Sequence, residues 1–172
     1  TEAFKALTSE CRAVSPETKL MIQLSHSGRK GSRTVPWEES RFLTLQEGGF
    51  AIEAPSAVTC GEPESLPREM TEEDIHRVIE AFAAAAKRAQ AAGFDGIQIH
   101  AAHGYLIHEF LSPVTNRRTD GWGGSLENRM RFGLAVIKAV REAVPDMALE
   151  VRVSANDWIE GGWTVEDTVA FL

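Results

Sequence analysis

The side chains best suited to chemistry gather at 98–105: Gln98, His100, His103 and Tyr105, the single tyrosine of the chain. An imidazole changes protonation near neutral pH and donates or accepts a hydrogen bond as required. A phenol can hand over a proton as a general acid. Donors and proton carriers packed at the end of an apolar strand point to a site rather than a scaffold. His100 and His103 could also seat a metal, but a carboxylate or thiolate third ligand at helical spacing is missing. Cys11 and Cys60 lack metal-ligand spacing with each other.

A second set of polar residues recurs at strand period. Gln23 and Ser25, Gln98 and His100, and Glu150, Arg152 and Ser154 each alternate with apolar neighbours. Parallel strands buried on both faces read as near-continuous Val, Ile and Leu; each of these three has one polar face instead. If those faces line a barrel interior, they converge near the carboxyl ends of the strands, where barrel enzymes keep their active sites. The plainer alternative is a satisfied structural network in which Glu150 pairs with Arg152 or Gln98.

The elements that would position these groups follow from periodicity and punctuation. Phe4, Leu7 and Cys11 are at helical spacing, so the end of a helix is expected over 1–12, with a turn at Pro16. A strand is expected over 19–25. Residues 26–70 are broken by Gly28, Gly31, Pro36, Gly48, Gly49, Pro55, Gly61, Pro63 and Pro67, which favours loops and short extended pieces. An excursion of that length is usually functional. Thr71 and the acids after it resemble a capping box, and Ile75, Val78, Ile79, Phe82 and Ala86 form the stripe of a helix that Gly93 ends. A strand at 96–101 follows, then a long polar passage. A helix starts at Ser125 with the stripe Leu126, Met130, Gly133, Ile137, Val140 and Val144 and stops at Pro145. A strand over 148–154 and a helix capped by Thr164 complete the chain. Strict alternation with short strands implies βαβ units and a parallel sheet.

Composition sets outer bounds. The chain has 172 residues, 43% hydrophobic and 25% charged, and a net charge of −7. That charge argues against a general nucleic-acid binder. No apolar run approaches the length of a membrane helix, and two cysteines make no disulfide framework, so a reducing cytoplasm is expected. The chain begins at Thr1 and stops at Leu172 within an apparent helix, and is expected to be a piece of something longer.

Three motifs carry a resemblance. IQLSHSGRK at 22–30, GFDGIQIHAAHGYLIHEFLSPVTNRRTDGWGGSLENRMRF at 93–132 and EVRVSANDW at 150–158 resemble the Old Yellow Enzyme family of FMN-dependent NADH:flavin oxidoreductases and ene-reductases, closest to its bacterial His/His members. The resemblance implies an α/β fold, part of a (β/α)8 TIM barrel. Residues 1–172 would be the central part of one FMN-binding domain, holding about the third through fifth strands with their helices. It implies that His100 and His103 bind the carbonyl or nitro oxygen of an activated alkene. Tyr105 would protonate the α-carbon, Arg152 would stand beside the flavin pyrimidine edge, and Gln23 would hydrogen-bond that edge. FMN and NADPH or NADH are the implied cofactors, with no metal, no membrane and, at full length, a homo-oligomer. The family residue that tunes the flavin from the first strand, and the loops that grip the FMN phosphate, would lie outside this chain.

Other residues read more plainly. His26, within HSGRK, could serve the site or simply hydrogen-bond its loop. His76 is expected to be solvated and His108 structural. Arg117, Arg118, Arg129 and Arg131 are expected in salt bridges within the loop and helix. A dienoyl-CoA reductase relative with an added iron–sulfur cluster and an inert half-barrel or assembly module are the alternative functions.

Overall fold

The structure, a computed structural model, describes residues 1–35, 37–61 and 63–172; Pro36, one of the breakers noted above, lies outside the described residues. In chain order the regular elements are α1 (Glu2–Val14), β1 (Met21–Leu24), β2 (Glu53–Ala54), β3 (Arg68–Glu69), α2 (Glu72–Ala91), β4 (Gly96–Ala101), α3 (Leu106–Leu111), α4 (Leu126–Ala143), β5 (Ala148–Val153) and α5 (Val165–Phe171). Three short 3-10 turns add to them. β1, β4 and β5 form one parallel sheet with β4 in the middle. The strands are successive staves joined by α2 and by α3 with α4, which is an arc of a (β/α)8 barrel. β2 and β3 make a separate two-stranded parallel pair, within a segment that is otherwise loops and turns, as its breakers predict.

The outer face of the sheet carries the core. Ile97 and Ile99 of β4 are fully buried, together with Ile75, Phe110, Phe132 and Val136 from the helices. Burying each such side chain is worth roughly 1.5–3 kcal/mol, which fixes which face of the sheet meets the helices and leaves the other face to the polar residues. α2 begins where Thr71 accepts the Asp74 N–H (3.2 Å) and Asp74 accepts the Thr71 N–H (2.9 Å). That reciprocal pair satisfies two of the orphan amides of a helix start. At the amino end of the sheet the Asp95 carboxylate accepts the Leu20 N–H (2.8 Å) and an Arg12 N–H (2.8 Å). The backbone of Leu20 is thereby engaged ahead of the ladder, and β1 is shorter than the predicted 19–25.

Three further differences have physical causes. α1 runs two residues past the predicted end, to Val14, and stops because the residue before Pro16 is disfavoured in the helical region; Ser15 has φ −143°. α3 falls at the start of the passage expected to be long and polar. All six of its residues are buried, so no alternation of polar and apolar marks it as a helix. On α4 the most deeply buried positions include Phe132 and Val136, beside Gly133 and Val140, while Met130 and Ile137 are only partly covered. The stripe is turned because α4 packs between α2 and α3 rather than on one neighbour.

Candidate active site

The register brings the polar residues of the three strands into rows. Gln23 lies opposite Gln98, and Gln98 opposite Glu150. Gln23 Nε2 donates to Gln98 Oε1, and Gln98 Nε2 donates to Glu150 Oε2 at 3.0 Å. The ladder of amide and carboxylate is therefore a hydrogen-bonded network, the alternative left open for Glu150 and Gln98. One row further along, His100 faces Arg152. Arg152 makes no ion pair among the described residues; its nearest polar partner is His103 Nε2 at 3.5 Å from Nη2.

Beyond β4 the chain makes a tight turn that carries the candidate chemistry. His100 is buried, and its Nδ1 accepts the Ala102 N–H (3.1 Å). In the neutral ring this leaves the proton on Nε2. Burial lowers the His100 pKa, and the neighbouring His103, Arg152 and His108 lower it further, so the ring is held as a neutral donor. His103 takes the left-handed backbone conformation (φ 59°), and Gly104 follows it at φ 68°. A guanidinium has only N–H groups to offer, so the Arg152 contact leaves His103 Nε2 as acceptor and Nδ1 as the donor. The rings of His100 and His103 are 5.0 Å apart, and those of His100 and Tyr105 also 5.0 Å, both edge to face. Tyr105 then serves as the N-cap residue of α3 without a side-chain cap bond.

All five predicted site residues thus lie on the open face of the sheet or at its carboxyl end. His100, His103, Tyr105 and Arg152 are in one cluster, and Gln23 sits across the sheet in the adjoining row. This donor set could meet a planar group that presents both acceptors and a donor along one edge. Arg152 supplies a cation with no described counter-ion, and no described residue donates to the Gln23 carbonyl oxygen. Among the described residues no group of three His, Cys, Asp or Glu side chains is arranged to hold a metal, and no helix is long and apolar enough to cross a membrane.

Several further residues bear on the site, among them Ser154, expected on the polar face of its strand, and His108, expected to be structural. Lys30 Nζ donates to the His103 carbonyl (2.7 Å) and lies 5.8 Å from the Tyr105 ring centroid. Ser154 Oγ accepts the His103 N–H (2.9 Å). His108 accepts the Gly104 N–H on Nδ1 (2.8 Å), and its Nε2 lies 2.9 Å from Asp157, both side chains being almost wholly buried. Glu109 is fully buried against the turn at Gly28–Lys30. All four lie within the three quoted motifs, but no role was assigned to them there; each bears on the site through the register that joins the loops after β1, β4 and β5. His26 accepts the Gly28 N–H (3.1 Å) within its own loop, the plainer of its two readings. His76 is mostly exposed, edge-on to Trp122. Of the four arginines, Arg118 does pair with Asp120 (2.6 Å), but it also donates to the Met70 carbonyl (2.6 Å), and Arg129 mainly caps the Leu111 and Gly124 carbonyls (2.9 and 2.6 Å).

A barrel arc whose polar strand faces meet at the carboxyl end has the framework on which barrel enzymes build their active sites. The chain matches the model of the NADH:flavin oxidoreductase / NADH oxidase family over residues 1–172 and belongs to that family, whose cofactors are FMN and a reduced nicotinamide. It is 47% identical to an NADH:flavin oxidoreductase of Gibberella zeae, over 97% of this chain and 44% of the relative. It is 50% identical to an NADPH dehydrogenase of Geobacillus thermodenitrificans, over 88% of this chain and 40% of that protein. Among solved structures it is similar to 2-naphthoyl-CoA reductase in complex with 2-naphthoyl-CoA (TM-score 0.80, 34% identity, 98% of this chain and 26% of the other). It is also similar to morphinone reductase (TM-score 0.75, 30% identity, 96% and 45%). The chain spans less than half the length of the curated relatives it matches.

Proposed function

We propose that this chain supplies the acceptor-binding half of the active site of an FMN-dependent NAD(P)H oxidoreductase that reduces activated alkenes such as enones, enals and nitroalkenes. The observation that carries the proposal is the cluster of His100, His103 and Tyr105 beside Arg152, a cation without a counter-ion among the described residues. FMN, when bound, supplies hydride that originates in NAD(P)H. Gln23 and Arg152 are the residues that would hold its pyrimidine edge, the amide matching a donor and an acceptor, the guanidinium favouring negative charge there.

His100 through Nε2–H and His103 through Nδ1–H hydrogen-bond the carbonyl or nitro oxygen of the acceptor. Both become stronger donors in effect as negative charge grows on that oxygen during hydride arrival at the β-carbon, which lowers the barrier selectively. Tyr105 gives its phenolic proton to the α-carbon, so the alkene gains one hydride and one proton and leaves saturated. Keeping His100 neutral matters, because a donor already cationic would bind anions in the ground state as well.

The test uses the intact protein loaded with FMN under nitrogen: NADPH bleaches the flavin and cyclohexenone restores its colour. Absence of both changes overturns the proposal. In Tyr105→Phe, alkene reduction slows by roughly 10²-fold or more, the scale of general acid catalysis, with flavin reduction by NADPH nearly unchanged; equal slowing of both removes the proton-donor role. A second reading, a CoA thioester as acceptor, rests on the likeness to 2-naphthoyl-CoA reductase. It is favoured if the intact protein prefers an enoyl-CoA over cyclohexenone.

A further inference from the structure

We propose that His108, anchored by Asp157, is a positioning residue: by taking the Gly104 N–H it holds His103 in its left-handed conformation and aims the His103 ring beside His100. The inference rests on the reading of His103 as a donor to the acceptor and adds the device that sets its direction.

The backbone of His103 is in a region that costs a non-glycine residue on the order of 1 kcal/mol, and such a conformation persists only where its surroundings over-determine it. Three contacts from three different elements do so. The His103 N–H goes to Ser154 beyond β5 (2.9 Å), its carbonyl takes the Lys30 ammonium from the loop after β1 (2.7 Å), and the next amide, Gly104, goes to His108 Nδ1 on α3 (2.8 Å). Lys30 is a long chain on a partly exposed loop and Ser154 is a single hydroxyl at a strand end. His108 alone is backed by a further buried group: its Nε2 is 2.9 Å from Asp157 Oδ1, a short contact whose N–H is bent from the ideal line. Asp157 is itself fixed by the Ser112 hydroxyl (2.5 Å) and the Trp163 N–H (2.8 Å). Trp163 is 1% exposed and donates from its indole to Thr168 (2.6 Å).

The chain of contacts has a polarity. With Nδ1 accepting from Gly104, the neutral His108 ring must carry its proton on Nε2, facing Asp157. Burial pushes the Asp157 carboxyl up, but His108, Ser112 and the Trp163 amide outweigh it and hold the pKa at about 2. A carboxylate at this position therefore selects the one ring tautomer that can accept from Gly104. An amide there could turn its NH2 toward Nε2, select the other tautomer and set two N–H groups against each other at Gly104. His103 would then lose the bond that keeps its left-handed turn, and its ring would leave the acceptor site.

The experiment uses the intact FMN-loaded protein, 15N-labelled at histidine, with Asp157→Asn, His108→Leu and His108→Gln. Glutamine can accept from Gly104 and donate to Asp157 as the imidazole does, so it serves as the rescue. Expected are a wild-type His108 signature of the Nε2–H tautomer, a changed His103 ring signature in Asp157→Asn and His108→Leu, and acceptor KM raised about tenfold in both, the scale of a displaced contact group. In His108→Gln both readouts return to within about threefold of wild type, again on that scale. Unchanged His103 signals together with unchanged KM in folded Asp157→Asn or His108→Leu overturn the positioning role, as does failure of glutamine to rescue a folded protein. A changed His103 signature with unaltered KM supports the positioning and instead removes His103 from acceptor binding.

Discussion

Glu109 lies wholly inside the molecule, with Oε1 accepting the Arg29 N–H (3.0 Å) and Oε2 without a partner among the described residues. Gly28 makes this possible. Its φ of 56° folds the turn onto the carboxylate, and a Cβ there would stand 2.4 Å from both oxygens. Burial raises the Glu109 pKa to about 8, against the pull of the Arg29 amide and the charges of Arg29 and Lys30. In the unfolded chain the same carboxyl ionises near its ordinary value of 4.5. Between those two values the native state binds a proton that the unfolded state does not. Stability from this group is therefore complete below about pH 4.5 and is lost as pH rises through about 8. Glu109→Gln keeps an acceptor for Arg29 and cannot ionise. The variant is expected to lose this part of the alkaline decline, worth on the order of a few kcal/mol, in urea unfolding of the intact protein compared at pH 5 and pH 9. A decline unchanged in the variant shows that Glu109 is already ionised in the native state. The residue pairs that could be read from the chain, His100 with His103 and Tyr105 just after, owe their legibility to lying in one stretch. Lys30 and Asp157 do not share that stretch, because Lys30 meets the His103 carbonyl, and Asp157 meets His108, only after the sheet has been assembled.

At the scale of elements the long amphipathic helices and their caps were legible, since Thr71 with Asp74 and Thr164 with Asp167 form the reciprocal bonds that their spacing predicts. The polar faces of β1, β4 and β5 were also legible from alternation alone, whereas the buried α3 offered none. Gly133 lies in the predicted buried seam of α4, and the packing explains why a side chain is missing there. A Cβ would stand 2.9 Å from Phe171 Cζ of α5 and 3.2 Å from Ile107 Cγ2 of α3. Two effects compete in Gly133→Ala. Replacing a mid-helix glycine favours the helix by about 1 kcal/mol, and overpacking a close-packed seam costs about 1–3 kcal/mol. Because both α3 and α5 crowd the position, the second effect is expected to win, with a net loss of about 1 kcal/mol for alanine and more for Gly133→Val. Denaturant midpoints measure it. Adding Phe171→Leu to Gly133→Ala should recover part of the loss beyond additivity, and a strictly additive pair would place the strain elsewhere.

At the scale of the whole molecule the sheet has a centre and two open sides. Among the described residues β4 pairs on both edges, while β1 and β5 each pair on one only. In a closed barrel each strand has two partners, so the alternation of helix and strand pointed to staves without indicating what lies against the outer two. The open edges present rows of backbone donors and acceptors, which are templates for pairing with another chain. The surface beside β1 adds apolar area, with Phe4 and Leu7 of α1 about half exposed and Met21 at 41%. The net charge of −7 opposes association, but at physiological salt its reach is only about 8 Å, too short to protect a strand edge at contact. Prepared as the 172-residue chain alone, the protein is therefore expected to form dimers or larger species whose weight-average mass rises with concentration in sedimentation equilibrium. Met21→Lys places a charge on the β1 strand, a device that blunts edges, and should shift the equilibrium toward monomer without altering the far-ultraviolet circular dichroism. A monomer mass independent of concentration would mean that the open edges are already covered within the chain. Association unaffected by Met21→Lys would move the contact to the β5 side.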